Sequence, residues 1–354
     1  MNEKTICYSL PGEGLGHATR TYSVLGKLDS SIKVHIFTWG EAYDFFKEQN
    51  YPYLYKIEAE LPFGRSKSGT ISVPRTISNF VQFIKKYKKS YNDIKSIIIN
   101  LNPDLIISDF EPILPRIAKK LNIKYLSIDN QHKFSRCYTE DLSLKLKFYS
   151  WLMGLYTELL VPNPDGILIS TFYHSKIKKK SKSTFLANCF IRSSLENLEI
   201  KDNNFILVYY KKSSGDQILE QLNKISSKYK IKVYGCPKEK RIYSNIEYND
   251  ISNYNFLNDL ANCSYLFCSS GNQLIGEGIY CGKPIFTIPE HNQAEQYINA
   301  FFIKKMNAGT FCYLKDLNFE LIQDFLNDFK TKNSSKINGA DQAVTLINSY
   351  LLEN

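Results

Sequence analysis

Short apolar runs of strand length alternate with longer amphipathic segments along most of this 354-residue chain. TICYSL (5–10) and KVHIFTW (33–39) are the first two such runs, and a segment with helical spacing follows each of them. Strands that are apolar at nearly every position must be covered on both faces, and their alternation with helices is typical of a parallel sheet. The alternation therefore predicts an α/β fold.

The alternation stops once and then starts again, which predicts two domains. A polar, lysine-rich segment (172–204) separates the two series, and a chain of 354 residues is long for one domain. We expect two doubly wound, Rossmann-like domains, residues 1–185 and 186–354, that face each other across a cleft, with the last helix free to return to the first domain. The remaining strands are predicted at 104–109, 123–129, 166–171, 205–210, 231–235, 265–270 and 284–289.

Composition and charge narrow the class of protein. No run of about 18 apolar residues occurs, so we expect no transmembrane helix, and the N-terminus lacks the apolar core of a signal peptide. The eight cysteines form no CxxC pair, which favours buried thiols in a cytoplasmic protein over a disulfide framework or a metal cluster.

The net charge is +10, with lysine clusters at 85–89 and 176–182. Such clusters are typical of solvated faces or of contact with an anionic substrate or membrane surface. No nucleic-acid-binding module is recognisable, so we expect no nucleic acid partner.

The loop after the first strand carries the first candidate residues, because ligands of doubly wound sheets bind beyond the carboxyl ends of the strands. PGEGLGHATR (11–20) contains glycines, among them Gly14 and Gly16, that allow a ligand to approach the backbone. The helix that follows points free N–H groups toward such a ligand. His17 stands where the dinucleotide-binding motif needs its third glycine, and no P-loop motif is present. His17 is therefore a candidate general base or phosphate contact, with a helix-capping histidine as the alternative.

Acidic residues and a histidine follow two more predicted strands of the first domain. DFEP places Asp109 and Glu111 at one strand end, and DNQH places Asp129 and His132 at another. These carboxylates could hold or deprotonate a hydroxyl substrate, or they could cap the helices that follow. Two acids without further ligands do not make a metal site, so we expect none.

Two stretches of the second domain have the composition of a phosphate and sugar site. In YYKKSSGDQ, Ser213 and Ser214 precede a helix and suit a phosphate held by hydroxyl and backbone N–H groups. In CSSGNQLIGEGIYCGKPIFTIPEHNQAEQYINA (268–300), a Ser-Gly pair begins a helix, Glu277 lies two turns along it, and several amides follow the next strand. Carboxylates accept hydrogen bonds from ribose hydroxyls, and amides both donate to and accept from sugar hydroxyls.

The stretch 268–300 resembles the nucleotide-sugar-binding half of GT-B glycosyltransferases. It is similar to the MurG-like family, the peptidoglycan N-acetylglucosaminyltransferases that make lipid II, and to the plant galactolipid synthases. GEGLGHATR, SDFEP and SIDNQH in the first domain also resemble a poorly characterised bacterial and archaeal group of glycosyltransferases. The resemblance spans both halves of the chain and implies a GT-B fold.

The resemblance also implies a role for each matching residue of the second domain. Glu277 would bind the ribose of the donor, and the backbone of Phe256 and Leu257 would read the nucleobase. Gln296, with Glu295 beside it, would bind the hydroxyls of the donor sugar. Further residues would hold the diphosphate or line the sugar pocket: Ser270, Gly271, Asn272, Ser213 and Ser214 for the phosphates, and His291 and Asn292 for the pocket.

The chain departs from the family pattern at two places. Lys211 and Lys212 stand where the family has a glycine pair in its phosphate loop. The positive charge of the lysines would then bind the phosphate in place of a closely approaching glycine backbone. Glu295 stands where near relatives have an amide, which leaves the identity of the sugar open. Uracil as the nucleobase follows from the family alone.

By this resemblance the protein is a metal-independent glycosyltransferase whose only small-molecule requirement is its nucleotide-sugar co-substrate. It would move a hexose from a UDP-linked donor, with inversion, to a hydroxyl acceptor on a glycan or lipid-linked glycan of the cell envelope. His17 would be the catalytic base, with Asp109 and Glu111 as the next candidates.

The segment 141–160 is apolar almost all round and carries Trp151. It indicates either a core or dimer helix or a contact with a lipid-linked acceptor or an anionic membrane surface. The expected location is therefore the cytoplasm, or the inner face of the cell membrane, and the oligomeric state stays open.

Two other kinds of function fit the same pattern. A nucleotide-sugar 2-epimerase or a sugar phosphorylase shares the two-domain architecture, and Glu295 would be a candidate extra acid for the epimerase. Such an epimerase would turn over the nucleotide sugar without an acceptor. A non-catalytic nucleotide-sugar sensor would bind the donor, and His17→Ala would leave its function unchanged.

Overall fold

The structure is a computed structural model that describes residues 4–60, 73–179, 183–210, 215–235, 243, 245–250, 253–334 and 336–352. The described chain forms two compact units. The first unit comprises the described residues up to Phe190 and the C-terminal segment from Asn338 onward, and the second comprises those of Ile191–Ile337. Each unit has a sheet of its own with helices packed around it.

The first unit is built on a seven-stranded sheet. Its strands are β1 (Lys4–Ser9), β2 (Ile32–Thr38), β3 (Leu54–Lys56), β4 (Leu105–Ser108), β5 (Tyr125–Asp129), β6 (Gly166–Ser170) and β7 (Thr184–Ala187). They lie in the order β3-β2-β1-β4-β5-β6-β7, and every pairing described between them is parallel. This is the Rossmann order, in which the winding reverses between β1 and β4.

The second unit repeats this arrangement with six strands. They are β8 (Phe205–Tyr209), β9 (Lys230–Tyr234), β10 (Ile246–Asn249), β11 (Tyr265–Cys268), β12 (Ile285–Thr287) and β13 (Gly309–Phe311). Their order is β10-β9-β8-β11-β12-β13, again parallel in every described pairing, so the winding reverses between β8 and β11. The predicted α/β class with two doubly wound domains is confirmed.

Helices cover the faces of both sheets. Those of the first unit are α1 (Leu15–Leu25), α2 (Gly40–Glu48), α3 (Val73–Leu101), α4 (Ile113–Leu121), α5 (Lys133–Arg136), α6 (Leu144–Leu160) and, at the C-terminus, α13 (Gly339–Leu352). Those of the second are α7 (Ser193–Glu196), α8 (Gly215–Asn223), α9 (Asn253–Asn262), α10 (Asn272–Tyr280), α11 (Ala294–Lys305) and α12 (Phe319–Asp328), with a 3₁₀ turn at Leu314–Asp316. Helices α1, α2 and α13 contribute to one apolar cluster against the first sheet, and α3, α4 and the end of α6 contribute to another.

The nine strands predicted from apolar runs are confirmed within a few residues at each end. Four strands were not predicted, namely β3, β7, β10 and β13, and each lies at an edge of its sheet. They are three or four residues long and mostly only half-buried. An edge strand has a neighbour on one side only, so its sequence does not need the continuous apolar run that marks an interior strand.

The first unit extends beyond the predicted boundary at 185/186. Strand β7 pairs with β6 and completes the first sheet, so the chain enters the second unit only after Phe190. The C-terminal helix α13 belongs to the first unit, where it packs on α1 and β7. Lys27 of α1 forms a 2.9 Å ion pair with Asp341 of α13.

Two further expectations concern membranes and thiols. Among the described residues, no helix combines the length and the apolar character needed to cross a membrane. Seven of the eight cysteines lie in the described part of the chain, and all seven are buried.

Candidate active site

The loop after β1 and the loop after β4 meet at the carboxyl edge of the first sheet. The two strands are neighbours, and the N–H of Asp109 donates to the carbonyl oxygen of Ser9 over 2.8 Å. Because the winding reverses at this pair of strands, the position is the one at which doubly wound sheets bind ligands. The predicted residues Gly14, Gly16, His17 and Asp109 therefore lie at the expected edge of the sheet.

Two glycines shape the loop after β1 for different reasons. A Cβ atom on Gly12 would lie 2.0 Å from the carbonyl oxygen of Trp39, so this glycine permits close packing of two backbone segments. Gly14 has φ +75°, which other residues rarely adopt, and no described atom lies within 4 Å of the place its Cβ would occupy. Helix α1 begins at Leu15 without a side-chain cap, so the N–H groups of its first turn face open space beside Gly14.

His17, Arg20 and Asp109 form one polar cluster at this edge. The Nδ1 of His17 lies 3.0 Å from Oδ2 of Asp109, and Nε of Arg20 donates to the same oxygen over 2.7 Å. Nη2 of Arg20 donates to the other carboxylate oxygen. The Asp109 side chain is fully buried, whereas that of His17 keeps 17% of its surface exposed. Burial lowers the pKa of Arg20, but the charge and hydrogen bonds of Asp109 raise it more, so its pKa stays above the ordinary value.

The tautomer of His17 decides what its ring can do. Nδ1 also lies 2.7 Å from Nη2 of Arg20, which is always a donor. If Nδ1 is unprotonated, it accepts from Arg20 and the proton sits on Nε2. If Nδ1 is protonated, it donates to Asp109 and leaves a lone pair on Nε2, the form that a general base requires. In this form Nη2 of Arg20 has to turn away from Nδ1, because two donors repel at 2.7 Å, while Arg20 keeps its hydrogen bonds to Asp109. Asp109 then orients the ring instead of acting as the base itself.

Glu111 caps helix α4. Its Oε1 accepts from the N–H of Ile113 over 2.7 Å, and its Oε2 accepts from the N–H of Leu114 over 2.9 Å. Burial raises the pKa of Glu111 to about 7, although these two hydrogen bonds lower it. Both carboxylate oxygens of Glu111 thus accept hydrogen bonds from the start of α4. Of the two predicted acids, Asp109 is the one that contacts His17. Between the two acids, Phe110 adopts φ 61° in the left-handed region.

Asp129 and His132 form a second carboxylate–imidazole pair after β5. Oδ2 of Asp129 lies 2.6 Å from Nδ1 of His132, and Oδ1 accepts from the backbone N–H of His132 over 2.9 Å. Burial raises the pKa of Asp129, but the charge and hydrogen bonds of His132 lower it more, to about 2. Asp129 therefore orients His132, whose buried Nε2 has no hydrogen-bond partner among the described residues.

In the second unit, the predicted diphosphate residues lie at the start of α10. Gly271 is its N-cap residue, no side chain caps the helix, and a Cβ on Gly271 would meet no described atom within 4 Å. Helix α10 thus begins at a glycine that faces open space and without a side-chain cap, which is the geometry of an anion-binding helix N-terminus. The hydroxyl of Ser270 forms a hydrogen bond with the hydroxyl of Thr287 over 2.8 Å, so it links the start of α10 to β12.

Glu277 is held by an arginine. Nε and Nη2 of Arg192 donate to its two carboxylate oxygens over 2.8 and 2.7 Å, and Nε2 of Gln273 donates over 3.1 Å. The Glu277 side chain is 1% exposed. A carboxylate accepts about four hydrogen bonds and the described residues donate three, so among them one acceptor position is left for a ribose hydroxyl.

The amides after β12 mainly join α11 to the ends of two strands. Oε1 of Gln296 accepts from the N–H groups of Ser270 and Glu290 over 3.2 and 2.8 Å, and its Nε2 donates to Gln293 over 3.0 Å. Asn299 is fully buried and donates to the carbonyl of Ser270 over 2.9 Å. The described contacts of Gln296 thus use both lone pairs of Oε1 and one of the two Nε2 hydrogens, and its sugar-binding role stays a prediction.

The remaining predicted donor residues differ in accessibility. His291 and Asn292 are exposed and Glu295 is half-buried, so these three are the ones a sugar can reach. Phe256 and Leu257 are buried within α9, and the Phe256 ring packs on Tyr209 and Tyr234 at 5.4 and 5.2 Å. The predicted phosphate loop lies outside the described residues; it contains Lys211, Lys212, Ser213 and Ser214.

The sequence matches the model of the family called glycosyl transferase family 1 over residues 4–330. The chain belongs to this family. It is a glycosyltransferase of the GT-B fold. A search of curated proteins finds no match.

Solved structures of glycosyltransferases share the fold of this glycosyltransferase. The glycotransferase of kitacinnamycin has a TM-score of 0.69 at 12% identity, covering 98% of this chain and 99% of that one. MurG of Acinetobacter baumannii has a TM-score of 0.61 at 13% identity, with the same coverage, 98% and 99%. LpCGTa in complex with UDP has a TM-score of 0.63 at 14% identity, covering 97% and 94%. At these identities the likeness establishes the fold alone.

Two arginines of this glycosyltransferase were missed by sequence reasoning. Arg20 lies three residues after His17, and that spacing on a helix was a usable signal because it puts both side chains on one face. Arg192 lies 85 residues before Glu277, and nothing in the sequence joins them. Only the fold brings Arg192 to the carboxylate.

Proposed function

We propose that this glycosyltransferase moves a hexose from a UDP-linked donor to a hydroxyl of a glycan or lipid-linked glycan of the cell envelope, with inversion and without a metal ion. The observation that carries the proposal is the pairing of His17 with Asp109 at 3.0 Å beside the open Gly14. It supplies an accessible imidazole with an orienting carboxylate at a ligand-binding edge. The UDP held by LpCGTa supports a nucleotide sugar as the donor, and uracil as its base follows from the resemblance alone.

The chemistry assigned to His17 is the removal of the acceptor proton. Nε2 takes the proton of the acceptor hydroxyl, while Nδ1–H donates to Asp109. The acceptor oxygen bonds to the anomeric carbon, and the bond from that carbon to the diphosphate breaks with its electron pair leaving on the nucleoside diphosphate. Attack from the side opposite the leaving group inverts the anomeric configuration.

The second unit is assigned the donor. The uncapped N-terminus of α10 stabilises negative charge on the departing diphosphate. Glu277, oriented by Arg192, accepts from one ribose hydroxyl, and the exposed His291, Asn292 and Glu295 contact the sugar. An epimerase or phosphorylase of the same fold is not favoured, because the matching family is one of glycosyltransferases.

Transfer of label from a panel of radioactive UDP-hexoses to a cell-envelope lipid and glycan extract tests the proposal. The wild-type protein is expected to label one product class, and removal of the base in His17→Ala is expected to slow labelling by about 100-fold or more. Nucleotide-induced stabilisation should persist in this variant, because His17 is assigned to the acceptor.

The matched control is His35→Ala, which removes a buried histidine of β2 outside the cluster. Its labelling rate, measured below its melting temperature, should stay within a few-fold of wild type. Conversion of the UDP-hexose to another sugar nucleotide without acceptor would instead identify an epimerase. Equal labelling by His17→Ala and wild type would refute the assignment of the base.

A further inference from the structure

Residues 290–293 form a tight turn directly before helix α11, which we call the α11 turn. The N–H of Gln293 donates to the carbonyl oxygen of Glu290 over 3.3 Å and closes it. Of the two central residues, Asn292 has φ 64°, in the left-handed region, and His291 has a negative φ. A left-handed residue at the third position alone is typical of a type II turn, and asparagine tolerates this conformation better than most residues.

The two central residues of the α11 turn are the ones that face solvent. His291 and Asn292 are exposed, whereas Glu290 and Gln293 on either side of them are half-buried. An imidazole and an amide can each donate to and accept from a sugar hydroxyl. Groups that are already held in their binding conformation bind more tightly, because less freedom is lost when the ligand arrives.

Helix α11 holds the α11 turn at two points. Oε1 of Gln296 accepts from the N–H of Glu290 over 2.8 Å, at the beginning of the turn. The hydroxyl of Tyr297 accepts from the N–H of Asn292 over 3.2 Å. This second hydrogen bond reaches the peptide group between His291 and Asn292, which is the central peptide of the turn.

The orientation of the central peptide distinguishes a type II turn from a type I turn. A type I turn needs no left-handed residue and is the more common form, so Asn292 would adopt it readily. The Tyr297 hydroxyl can accept from the N–H of Asn292 in only one of the two orientations. It therefore selects the left-handed conformation of Asn292, and with it the direction in which the amide side chain points.

The ring that carries this hydroxyl is itself held by neighbouring rings. Tyr297 packs edge-on against Tyr313, with 5.7 Å between the ring centroids, and Tyr313 packs edge-on against Phe311 at 6.0 Å. Phe311 is the last residue of β13, so the row of rings joins the α11 turn to the end of a strand. Edge-on packing is a favourable arrangement of aromatic rings. The hydroxyl thus lies at a defined point, as a group that orients a binding site must.

We propose that Tyr297 is a positioning residue, which selects the left-handed conformation of Asn292 and so presents His291 and Asn292 to the donor sugar. The inference rests on the proposed function, in which these two residues contact the sugar. It deepens that function by naming a residue that acts on the sugar through others. Tyr297 contributes to the affinity for the sugar part of the donor and not to the affinity for the nucleoside diphosphate, which is assigned to α10.

Titration calorimetry of wild type and Tyr297→Phe with UDP and with a panel of UDP-hexoses tests the proposal. Phenylalanine keeps the ring and removes only the acceptor. We expect the Kd of the UDP-hexose to rise about three- to tenfold, the effect of one hydrogen bond, and the Kd of UDP to change by less than about twofold. In the transfer reaction, the KM for the donor should rise by the same factor with kcat nearly unchanged, because binding alone is weakened.

Tyr313→Phe is the matched control. It removes the hydroxyl of the neighbouring ring, from which no hydrogen bond to the α11 turn is described, and should bind both ligands as wild type does. Hydrogen exchange tests the turn without any ligand. The amide of Asn292 should exchange at least about threefold faster in Tyr297→Phe than in wild type or in the control, since its acceptor is lost. The melting temperature should stay close to that of wild type, because Asn292 is exposed and water can replace the hydroxyl.

Two results would overturn the inference and leave the proposed function standing. One is equal affinity of wild type and Tyr297→Phe for the UDP-hexose. The other is an equal loss of affinity for UDP and for the UDP-hexose, which would make Tyr297 a support of the whole nucleotide site. Failure of the wild-type protein to bind UDP or any UDP-hexose would instead refute the proposed donor, and the inference with it.

Discussion

At the scale of single residues, the two acids that follow β4 lie in one loop but make different contacts. Asp109 accepts from Arg20 and pairs with His17, while Glu111, two residues later, caps α4 with both oxygens. The sequence predicted that both lie at a strand end, but not which one meets His17. That outcome depends on the turn at Phe110 and on the register of β4 against β1, neither of which is visible in the residue pattern.

Glu111 leads to a prediction about pH. Its pKa rises from the unfolded value of 4.5 to about 7 on folding, so the folded state holds the proton more tightly. Between these two pH values the folded state binds more protons, and the free energy of unfolding falls as the pH rises. The contribution is present in full below the unfolded pKa and is lost by about pH 7, amounting to about 3 kcal/mol at most.

Denaturant unfolding of wild type and Glu111→Gln between pH 4 and 8 measures this contribution. Glutamine keeps an acceptor for the N-terminus of α4 but does not titrate. The difference in unfolding free energy between the two proteins should therefore shift in favour of Gln as the pH rises. A difference that is constant across the range would contradict the burial of a titrating Glu111.

At the scale of elements, interior strands could be read from the sequence and edge strands could not. GILIS of β6 is buried at every position, whereas LYK of β3 is not, because β3 has a neighbour on one side only. The amides near Gln296 mark a helix start correctly, but the sequence does not tell amides that bind sugar from amides that tie α11 to two strand ends. Those contacts depend on the position of α11 over β11 and β12.

Two glycines that precede helices, Gly12 in the loop before α1 and Gly271 at the N-cap of α10, should respond differently to substitution. Gly12→Ala forces a Cβ to within 2.0 Å of the Trp39 carbonyl oxygen, so we expect a loss of about 2 kcal/mol or more in stability. Gly271→Ala meets open space and should change stability by less than about 0.5 kcal/mol. Thermal unfolding of both variants compares them, and equal melting temperatures would contradict the described packing of the loop.

At the scale of the whole molecule, the chain leaves the first unit after Phe190 and returns to it at Asn338. The lysine-rich break indicated two domains, and the boundary was missed by a few residues because the last strand of the first sheet is a short edge strand. The return of α13 depends on contacts with β7 and α1 that are far away in sequence. Such long-range contacts leave no local pattern.

Two substitutions in α13 test whether the last helix stabilises the first unit. Ile347 is fully buried in the first apolar cluster and Leu352 is 84% exposed. We expect Ile347→Ala to lower the unfolding free energy by about 2–4 kcal/mol and Leu352→Ala to leave it nearly unchanged. Hydrogen exchange locates the effect, which should appear in α1 and β7, the elements that α13 contacts, and not in the second unit. Exchange that rises only in the second unit would contradict the assignment of α13.

The central claim is that the second unit holds a nucleotide through Glu277, and thermal shift with UDP, GDP, CDP, ADP and dTDP tests it most directly. A ligand that binds only the folded state raises the melting temperature. We predict that UDP raises it for wild type and for Glu295→Gln, the control at a residue assigned to the sugar, but not for Glu277→Gln, which keeps an acceptor for Arg192. No shift with any nucleotide, or an equal shift in Glu277→Gln, would contradict the account.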